Sequence, residues 1–420
     1  MEKTMFNWWG NHTIGIIGLG YSGKTVLLTS LLWHLDQYNH EDFPSKYGPI
    51  QNFELIRHNN EHDFKFDLYK NTLVQEHRWP EKTTDYAIAD CKYILQEMGF
   101  FRKSSSRRHV IFVDIPGERV SDISMKGKNY REWVEELFHF WDNNPKLKAT
   151  MESYRKLAED SKKTLGELIT AYKTAMWNML TVNYCQITPS TYLLGTDGSQ
   201  LGDENNQDME SAIKFRQIWD CGELLPLPKE WCDAHRSEAC EMEKTFKKYN
   251  RLVLNPLFKK IDACDNFIFC VDIPGIINCG PACLNYTKQT FKDFIRYLAP
   301  NGFMQKLNGK KHKPRLAYVA TKSDMIEDKD NLEKLLKSFN ANIAGFEEAY
   351  FTCSACVSTD SGETLPWDKW PRFDSGRVRD DWKPGVYFPE VAPPKYTGES
   401  VDAPPMQINL DHIFDFVMEG

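Results

Sequence analysis

The stretch Thr13-Ile14-Gly15-Ile16-Ile17-Gly18-Leu19-Gly20-Tyr21-Ser22-Gly23-Lys24-Thr25 decides the fold of this chain. Residues 13–19 form an apolar run that is typical of a buried strand, and the pattern of residues 26–35 predicts a helix. Between them, residues 18–25 match G-x-x-x-x-G-K-[ST], which in a strand–loop–helix setting is typical of a loop that binds phosphate groups. The backbone N–H groups of such a loop and the N-terminal end of its helix attract anions. The sequence therefore predicts an α/β fold with a phosphate-binding loop (P-loop) near its start.

The residue types of this loop have distinct chemical roles. The residues predicted to contact a bound nucleotide are Gly18, Gly20, Ser22, Gly23, Lys24, Thr25 and Val26. Lys24 can reach the β- and γ-phosphates, where it would also serve catalysis, and the Thr25 hydroxyl is a suitable ligand for Mg²⁺. The alternative is a glycine-rich turn that only tightens a junction between a strand and a helix.

Two apolar runs end in the same pattern, Asp-x-Pro-Gly, at Asp114-Ile115-Pro116-Gly117 and at Asp272-Ile273-Pro274-Gly275. A carboxylate at the end of a strand suits a Mg²⁺ site, and Gly117 can place its N–H beside a γ-phosphate. We expect that only one strand can lie beside the strand that precedes the P-loop and serve the magnesium ion, and the first copy has the usual place in the order of nucleotide-switch elements. The pattern therefore assigns Asp114 to the metal ion and Gly117 to catalysis. Asp272 is left near the site in a structural role, with reversed roles as the alternative.

The tetrad Thr321-Lys322-Ser323-Asp324 follows another apolar run and fits the guanine-reading pattern [NT]-K-x-D. The Asp324 carboxylate can accept hydrogen bonds from the ring N–H and the exocyclic amine of guanine, and adenine has no matching pair of donors. Lys322 can lay its aliphatic stem over the base, and Thr321 can brace the loop. Further on, Ser354 and Ala355 fit the place where a backbone N–H contacts the guanine carbonyl oxygen. The alternative for the tetrad is a solvated, charged turn.

A threonine that senses a γ-phosphate through Mg²⁺ is expected between the P-loop and the first Asp-x-Pro-Gly. In the polar turn at residues 79–85, Thr83 is predicted to serve the metal ion and catalysis in preference to Thr84, and a helix N-cap is the alternative. The residue after the first Asp-x-Pro-Gly is Glu118. A carboxylate there can orient water or act as a weak base, but it repels the γ-phosphate, so slow hydrolysis is expected. Arg119 is interpreted as a surface side chain, with charge stabilisation in cis as the alternative.

Apolar runs and helical patterns alternate along the chain. The runs typical of buried parallel strands are residues 13–19, 109–115, 266–272, 315–321 and 348–354. This alternation predicts a doubly wound, mostly parallel sheet with helices on both faces, and the long gaps between the runs require insertions. The predicted domains are residues 1–120 and 261–357 as two parts of a nucleotide-binding domain, 121–260 as a mainly helical insertion, and 358–420 as a C-terminal wrap rich in Pro and Trp.

The insertion begins with residues 130–184, whose apolar side chains recur at three- and four-residue steps and so predict amphipathic helices. These side chains are Phe138, Trp141, Tyr154, Leu157, Leu165, Leu168, Ile169, Tyr172 and Met176. A helical subdomain packed on its own core is the preferred interpretation, and a helical arm that binds a protein effector is the alternative. Residues 196–208 are predicted to form an exposed loop, and residues 408–418 a short strand or helix.

The composition excludes several classes of protein. The chain has 420 residues, of which 52 are Lys or Arg and 59 are Asp or Glu, so its formal net charge of −7 lacks the basic footprint of a nucleic-acid partner. No apolar stretch approaches the ~18 residues that a membrane span needs. The N-terminus also lacks the apolar segment of a secretory signal. We therefore expect a folded, cytoplasmic protein without an integral membrane segment.

The cysteine pattern argues against a disulfide framework, because the 11 cysteines are odd in number and irregularly spaced. Cys264, Cys270 and Cys353 fall in or beside strand-like runs, where thiols behave as small hydrophobic side chains. Reduced, buried thiols are the preferred interpretation. A zinc site is the alternative, from two close pairs: Cys279 with Cys283, and Cys353 with Cys356.

Several further runs stand in one order along the chain. They are residues 17–25 with Leu28-Thr29-Ser30, Trp79-Pro80 with Thr83, residues 114–119 leading to Tyr130-Arg131-Glu132-Trp133, Ile187-Thr188-Pro189 before Leu193-Leu194-Gly195, Asn278-Cys279-Gly280-Pro281, and residues 320–324. This series resembles the YcjX-like family of P-loop GTPases over nearly the whole chain. The chain departs from the family pattern in its second Asp-x-Pro-Gly and in an insertion that looks short.

The resemblance implies a Ras-like P-loop domain with a large helical insertion, GTP and GDP as ligands, Mg²⁺ as the cofactor, and a stress-associated role in bacteria. Together with the motifs, it leads us to expect a GTP-binding switch with slow, Mg²⁺-dependent hydrolysis of GTP. Three alternatives remain open: an ATP-using P-loop enzyme, a phosphotransferase, and a nucleotide-binding scaffold without significant hydrolysis.

Overall fold

The computed structural model describes residues 10–76, 79–80, 85–98, 103–181, 224–299, 313–326, 329–340, 345–357, 373–374, 377–378 and 403–419. The chain divides into two compact units. Unit 1 comprises Met1–Gly117, Lys260–Asn278 and Leu298–Gly420, and unit 2 comprises Glu118–Lys259 and Cys279–Tyr297. Each unit is therefore assembled from segments that are separated in the sequence.

Unit 1 contains a seven-stranded, mostly parallel sheet with the strand order β2-β3-β4-β1-β5-β6-β7. Its strands are β1 Gly10–Ile17, β2 Ile50–Ile56, β3 Ala87–Met98, β4 Lys103–Asp114, β5 Asn266–Asp272, β6 Arg315–Thr321 and β7 Glu347–Thr352. Two short strands, β8 Phe373–Asp374 and β9 Arg377–Val378, pair antiparallel with each other. The predicted α/β class with a mostly parallel sheet is confirmed.

The five strands predicted from apolar runs are all present, with ends that differ by a few residues. Two further strands of this sheet, β2 and β3, were missed. β2 pairs antiparallel with β3, and β3 pairs antiparallel with β4. The physical reason lies in β3, where the buried side chains Cys91, Tyr93 and Leu95 alternate with more exposed ones. A strand with one solvated face lacks the continuous apolar run of a buried parallel strand.

The strand that precedes the glycine-rich loop has two neighbours in the sheet. β1 pairs in parallel with β4 on one side and with β5 on the other. β1 occupies an interior position, so two strands lie beside it, and the assignment of the magnesium ion to the strand that ends at Asp114 stays a prediction. Both Asp-x-Pro-Gly runs consequently begin at the carboxyl ends of strands that flank β1, at Asp114 and at Asp272.

The helices account for most of the remaining described residues. In chain order they are α1 Lys24–Asp36, α2 Phe66–Val74, α3 Gly117–Val120, a 3₁₀ turn at Ser121–Met125, α4 Tyr130–Asp142, α5 Pro145–Glu159, α6 Leu165–Thr181, α7 Lys229–Ala234, α8 Arg236–Tyr249, a π-helical turn at Asn250–Leu254, α9 Asn255–Asp262, α10 Ile273–Cys279, α11 Pro281–Leu298, a 3₁₀ turn at Ser323–Met325, α12 Lys329–Lys337 and α13 Leu410–Met418.

The core of unit 1 joins both ends of the chain. Side chains of α1, β3 and α13 are buried in one apolar cluster, which includes Leu28, Tyr93 and Phe414. The segment predicted as a short strand or helix is mainly a helix, α13, and Ile408 before it forms an isolated β-bridge with Ser354. Most of the predicted wrap between residues 358 and 405 lies outside the described residues.

Unit 2 is helical throughout its described part. Of the apolar positions predicted to face a helical core, five are buried, and the others whose side chains are described are half-buried; the buried ones are Trp141, Tyr154, Leu168, Tyr172 and Met176. The predicted loop at residues 196–208 lies outside the described residues. In the part of the chain that the structure describes, none of the helices combines the length and apolar character needed to cross a lipid bilayer.

Candidate functional site

The glycine-rich loop (residues 18–25) connects β1 to α1. β1 ends at Ile17, and α1 begins at Lys24 rather than at the predicted residue 26. Two loop residues have left-handed backbones, Tyr21 with φ of 63° and Gly23 with φ of 78°. Glycine adopts this conformation without steric cost, whereas a tyrosine there is unusual. The Tyr21 side chain is 60% exposed.

The Lys24 side chain is folded into this loop and is only 7% exposed. Its Nζ donates to the carbonyl oxygens of Gly18 at 2.9 Å and Leu19 at 3.1 Å, and to Ser22 Oγ at 3.4 Å. At Gly18, a Cβ would lie 2.5 Å from the carbonyl oxygen of Cys270 and from Ser22 Oγ. The loop therefore curls tightly around the lysine ammonium group, and it needs glycine where it begins.

The first Asp-x-Pro-Gly run meets the start of α1. Thr25 Oγ1 donates to Asp114 Oδ2 at 3.0 Å, and the Asp114 carboxyl group is completely buried at the end of β4. A hydroxyl and a carboxylate are the oxygen ligands that Mg²⁺ prefers, so the chemistry of this pair fits the predicted metal ion. Within the described residues, no group of three or more His, Cys, Asp or Glu side chains could hold a metal ion.

Gly117 lies against the glycine-rich loop. A Cβ at this position would be 2.3 Å from the amide nitrogen of Gly20 and 2.5 Å from the carbonyl carbon of Leu19. The backbone at the end of β4 is also tied to β1, because the N–H of Ile115 donates to the carbonyl oxygen of Ile16 at 3.1 Å. The structure thus brings together Lys24, Thr25, Asp114 and Gly117, as the sequence predicts.

The other predicted switch residues are placed only in part. Thr83 and Thr84 lie outside the described residues, and so does the side chain of Glu118. The interpretation of Arg119 as a surface side chain was wrong, since it is only 5% exposed and its guanidinium group donates to the Tyr249 hydroxyl at 2.5 Å. An arginine can be buried where a hydroxyl accepts a hydrogen bond from its guanidinium group, and this partner is distant in the sequence.

The tetrad of residues 321–324 adjoins the same loop. Thr321 Oγ1 donates to the carbonyl oxygen of Val271 at 3.1 Å, which braces the end of β6 against β5. Lys322 has a left-handed backbone, with φ of 58°, and its Nζ donates to the carbonyl oxygen of Tyr21 at 2.9 Å. The predicted base-reading and phosphate-binding segments are therefore in direct contact. Asp324 follows in a 3₁₀ turn and is half-buried.

The segment after β7 is joined to the tetrad through the backbone. The N–H of Cys353 donates to the carbonyl oxygen of Ala320 at 2.8 Å, and the N–H of Ser323 donates to the carbonyl oxygen of Cys353 at 3.0 Å. The Ser354 N–H donates to Ile408 at 3.2 Å. On the other side, Ser30 Oγ in α1 donates to the carbonyl oxygen of Ala355 at 2.5 Å.

Sequence reasoning missed two contributions to this region. Ser30 was noted only as part of a run behind the loop, although its hydroxyl anchors the segment after β7. The contact of Lys322 with Asp272, at 3.0 Å between Nζ and Oδ2, was also missed. The repeated Asp-x-Pro-Gly pattern indicated that Asp272 lies near the site, but the pattern does not show that its carboxylate contacts Lys322.

The thiols of this region are free and buried, in agreement with the preferred interpretation. Burial raises the pKa of both Cys270 and Cys356 to about 12, so these thiols stay protonated at neutral pH. Burial also raises the pKa of Cys353 well above its ordinary value. The side chain of Cys279, which belongs to the other pair of the zinc alternative, lies outside the described residues.

The sheet and its loops define an α/β protein in which a glycine-rich loop, two Asp-x-Pro-Gly runs and a Thr-Lys-x-Asp tetrad gather at the carboxyl ends of neighbouring strands. The sequence model of the YcjX-like family, DUF463, matches residues 13–365, and the chain therefore belongs to this family. Among curated proteins, none matches the sequence.

Proposed function

We propose that this protein binds GTP and GDP with Mg²⁺ and hydrolyses GTP slowly, as a nucleotide-dependent switch. The observation that carries the proposal is the 2.9 Å hydrogen bond from Lys322 Nζ to the carbonyl oxygen of Tyr21, which joins two nucleotide-type motifs 301 residues apart in the sequence. A nucleotide has a base at one end and phosphates at the other, so its two recognition elements must lie within the length of one nucleotide of each other. Two chance motif matches would have no reason to touch.

The phosphates would be held by the glycine-rich loop. The backbone N–H groups of this loop and the N-terminal end of α1 favour an anion, and Lys24 supplies a positive charge. Lys24 now donates to loop carbonyls, and phosphate oxygens are stronger acceptors because they are ionised. We therefore expect the ammonium group to exchange its bonds to Gly18 and Leu19 for bonds to the β- and γ-phosphates.

Thr25 and Asp114 would hold the magnesium ion, with Thr83 as a further contact when a γ-phosphate is present. When bound, Mg²⁺ neutralises the charge on the phosphates. The bond between Thr25 Oγ1 and Asp114 Oδ2 keeps both oxygens in one place. A site that is organised before binding loses less entropy when the ion and nucleotide arrive.

The base would be read by residues at the ends of β6 and β7. Asp324 accepts from the guanine N–H and amine groups, the stem of Lys322 covers the base, and Thr321 braces the loop. The Ser354 N–H is engaged by Ile408, so we assign the contact with the guanine carbonyl oxygen to the N–H of Ala355. The proposal predicts selectivity for guanine over adenine.

Hydrolysis would depend on Gly117 and Glu118. The Gly117 N–H, held beside Gly20, would contact the γ-phosphate, and the Glu118 carboxylate would orient a water molecule. Catalysis of this kind rests on positioning and charge stabilisation, and a negatively charged residue in the water-orienting position makes it slow. A Ras-like nucleotide-binding domain and a stress-related role in bacteria are parts of the proposal that rest on the family resemblance. A protein effector that binds the helical insertion is a further part, and it rests on the amphipathic pattern of that insertion.

Titration of the full chain with fluorescent analogues of GTP, GDP and ATP tests the proposal. We expect Mg²⁺-dependent binding of both guanine nucleotides and much weaker binding of ATP. Lys24→Ala should abolish binding, whereas Lys46→Ala, which removes a lysine paired with Glu419, should leave it unchanged. Asp324→Asn should move the preference toward xanthine nucleotides. Tighter binding of ATP than of GTP would contradict the proposed base specificity.

A nucleotide-binding scaffold is the second candidate function, because Glu118 stands where efficient hydrolysis is not expected. Phosphate release from GTP, measured for the native chain and for Lys24→Ala, separates the two. Release that depends on Lys24 supports a GTPase. Guanine-nucleotide binding without Lys24-dependent release identifies a scaffold.

A further inference from the structure

The second Asp-x-Pro-Gly run has no role in the function proposed above, yet its aspartate contacts the base-reading tetrad. Asp272 ends β5 and is paired in parallel register with Thr321, which ends β6. Lys322 is the next residue, and its Nζ donates to Asp272 Oδ2 at 3.0 Å. Both side chains are half-buried, so their attraction is less screened than that of a surface pair.

Lys322 is thereby held from two sides. Its ammonium group bonds the Asp272 carboxylate and also the carbonyl oxygen of Tyr21 in the glycine-rich loop. Its own backbone is left-handed, with φ of 58°, a conformation that non-glycine residues keep only where surrounding contacts fix it. The two hydrogen bonds provide such contacts, and they set the direction of the whole side chain.

Asp272 is itself oriented by the rest of its Asp-x-Pro-Gly run. The N–H of Gly275 donates to Asp272 Oδ1 at 3.2 Å, which leaves Oδ2 for Lys322. A Cβ at position 275 would lie 2.7 Å from Oδ2, so glycine is required for the carboxylate to stay where it is. In this second copy, the pattern fixes a carboxylate at the end of a strand.

We infer that Asp272 is a positioning residue for guanine-nucleotide binding, which acts by holding Lys322 against the glycine-rich loop. The inference rests on the proposed function and adds a residue to it. The two copies of one pattern then serve two different cations. Asp114 contacts Thr25 at the predicted metal position, and Asp272 contacts the ammonium group of Lys322. The lysine is in place before the nucleotide binds, so its ordering entropy is already lost.

Asp272→Asn is the first test, because an amide can satisfy only one of the two bonds that the carboxylate accepts. If its oxygen bonds the Gly275 N–H, its NH₂ group faces the Lys322 ammonium group, and donors repel each other. We expect about tenfold weaker binding of a fluorescent GDP analogue to the full chain, since a charge-assisted hydrogen bond is lost. Asp265→Asn is the matched control, because Asp265 precedes β5 and its carboxylate accepts from the Thr13 N–H at 3.1 Å. It should leave GDP affinity unchanged.

The same measurement in a Lys322→Met background shows whether Asp272 acts through the lysine. Methionine keeps an unbranched stem and removes the ammonium group. We expect Lys322→Met to weaken GDP binding and Asp272→Asn to cause no further loss when added to it. An equal loss in both backgrounds would assign Asp272 a merely structural role and overturn the inference. A higher Mg²⁺ requirement with unchanged affinity at saturating Mg²⁺ would overturn it in favour of a metal role.

Nucleotide binding by the native chain separates a failure of this inference from a failure of the proposed function. If the native chain binds GDP and Asp272→Asn binds it equally well, the inference fails and the proposed function stands. If the native chain binds neither GDP nor GTP, both the proposed function and the inference that rests on it fail. Should Asp272→Asn not fold, Lys322→Arg and Lys322→Met replace it. Arginine can keep both hydrogen bonds and should retain most of the affinity, and native affinity in Lys322→Met would overturn the inference.

Discussion

Gly117 shows how a single missing methyl group permits this site. Its Cα lies so close to the glycine-rich loop that a Cβ would be 2.3 Å from Gly20 N, and the obstructing atoms are backbone, which cannot rotate away. Gly117→Ala must therefore push the loop or the end of β4 aside. Overpacking of this kind costs about 1–3 kcal/mol. We expect about a tenfold loss of affinity for a GTP analogue in the same titration, because a tenfold change corresponds to about 1.4 kcal/mol, which lies within this range.

Gly166→Ala is the matched control for this substitution. A Cβ at Gly166, in α6, meets nothing within 4 Å, so the methyl group has room. Alanine is the better helix former, and we expect unchanged nucleotide affinity with stability equal to or up to about 1 kcal/mol above that of the native protein. Native affinity in Gly117→Ala would show that the loop moves away from Gly117 when nucleotide binds.

Among the secondary-structure elements, the sequence predicted the site correctly where one short stretch contains both a strand and the motif that follows it. The glycine-rich loop, Asp114 and the tetrad at residues 321–324 each follow an apolar run, and parallel strands bring such ends together. The pair β2 and β3 gave no comparable signal, because neither strand contains a continuous apolar run. Arg119 could not be placed either, since the hydroxyl that permits its burial comes from Tyr249, far along the chain.

A chain of hydrogen bonds fixes the segment after Gly117 within unit 2. Arg119 donates to the Tyr249 hydroxyl, and that hydroxyl donates to Asp122 Oδ2 at 2.5 Å. Tyr249 immediately precedes the π-helical turn at Asn250–Leu254, and Lys126 Nζ bonds Asn255 Oδ1 immediately after it, at 2.5 Å. Both ends of this turn are therefore tied to the segment 119–126. Single π-helical turns are common at functional sites, where they depart from regular helical bonding.

Tyr249→Phe tests how much this network stabilises unit 2. The substitution removes one hydroxyl that bonds two charged groups, and each such bond contributes about 1.5–3 kcal/mol. We expect faster amide hydrogen exchange at residues 250–254, measured by mass spectrometry. Tyr154→Phe is the matched control, since Tyr154 is also fully buried in unit 2 but donates to the neutral carbonyl of Pro226. Equal exchange at residues 250–254 in the two variants would mean that the network does not hold the turn.

At the scale of the whole molecule, the order of the chain differs from the order in space. Unit 1 takes its sheet from three segments of the sequence, which alternate along the chain with the two segments of unit 2, and its last helix is α13. Asn266 Nδ2, at the start of β5, donates to the carbonyl oxygen of Val417 at 2.6 Å. Residues 408–418 combine a β-bridge at Ile408 with a helix from Leu410, and the left-handed Asn409 separates the two. The predicted helix therefore describes most of this segment, and the predicted strand describes only its first residue.

Phe414→Ala tests whether unit 1 depends on its C-terminal helix. Phe414 is 1% exposed, and its ring contacts Phe43, Tyr47 and Tyr93, which belong to the first quarter of the chain. Loss of such a buried ring leaves a cavity and costs about 3–5 kcal/mol. Phe416→Ala is the control on the same helix, because Phe416 is half-buried between Phe351 and Arg315 and should cost less. Urea-induced unfolding followed by far-ultraviolet circular dichroism measures the free energy of unfolding of both variants. Equal losses would show that α13 contributes to unit 1 no more through Phe414 than through the half-buried Phe416.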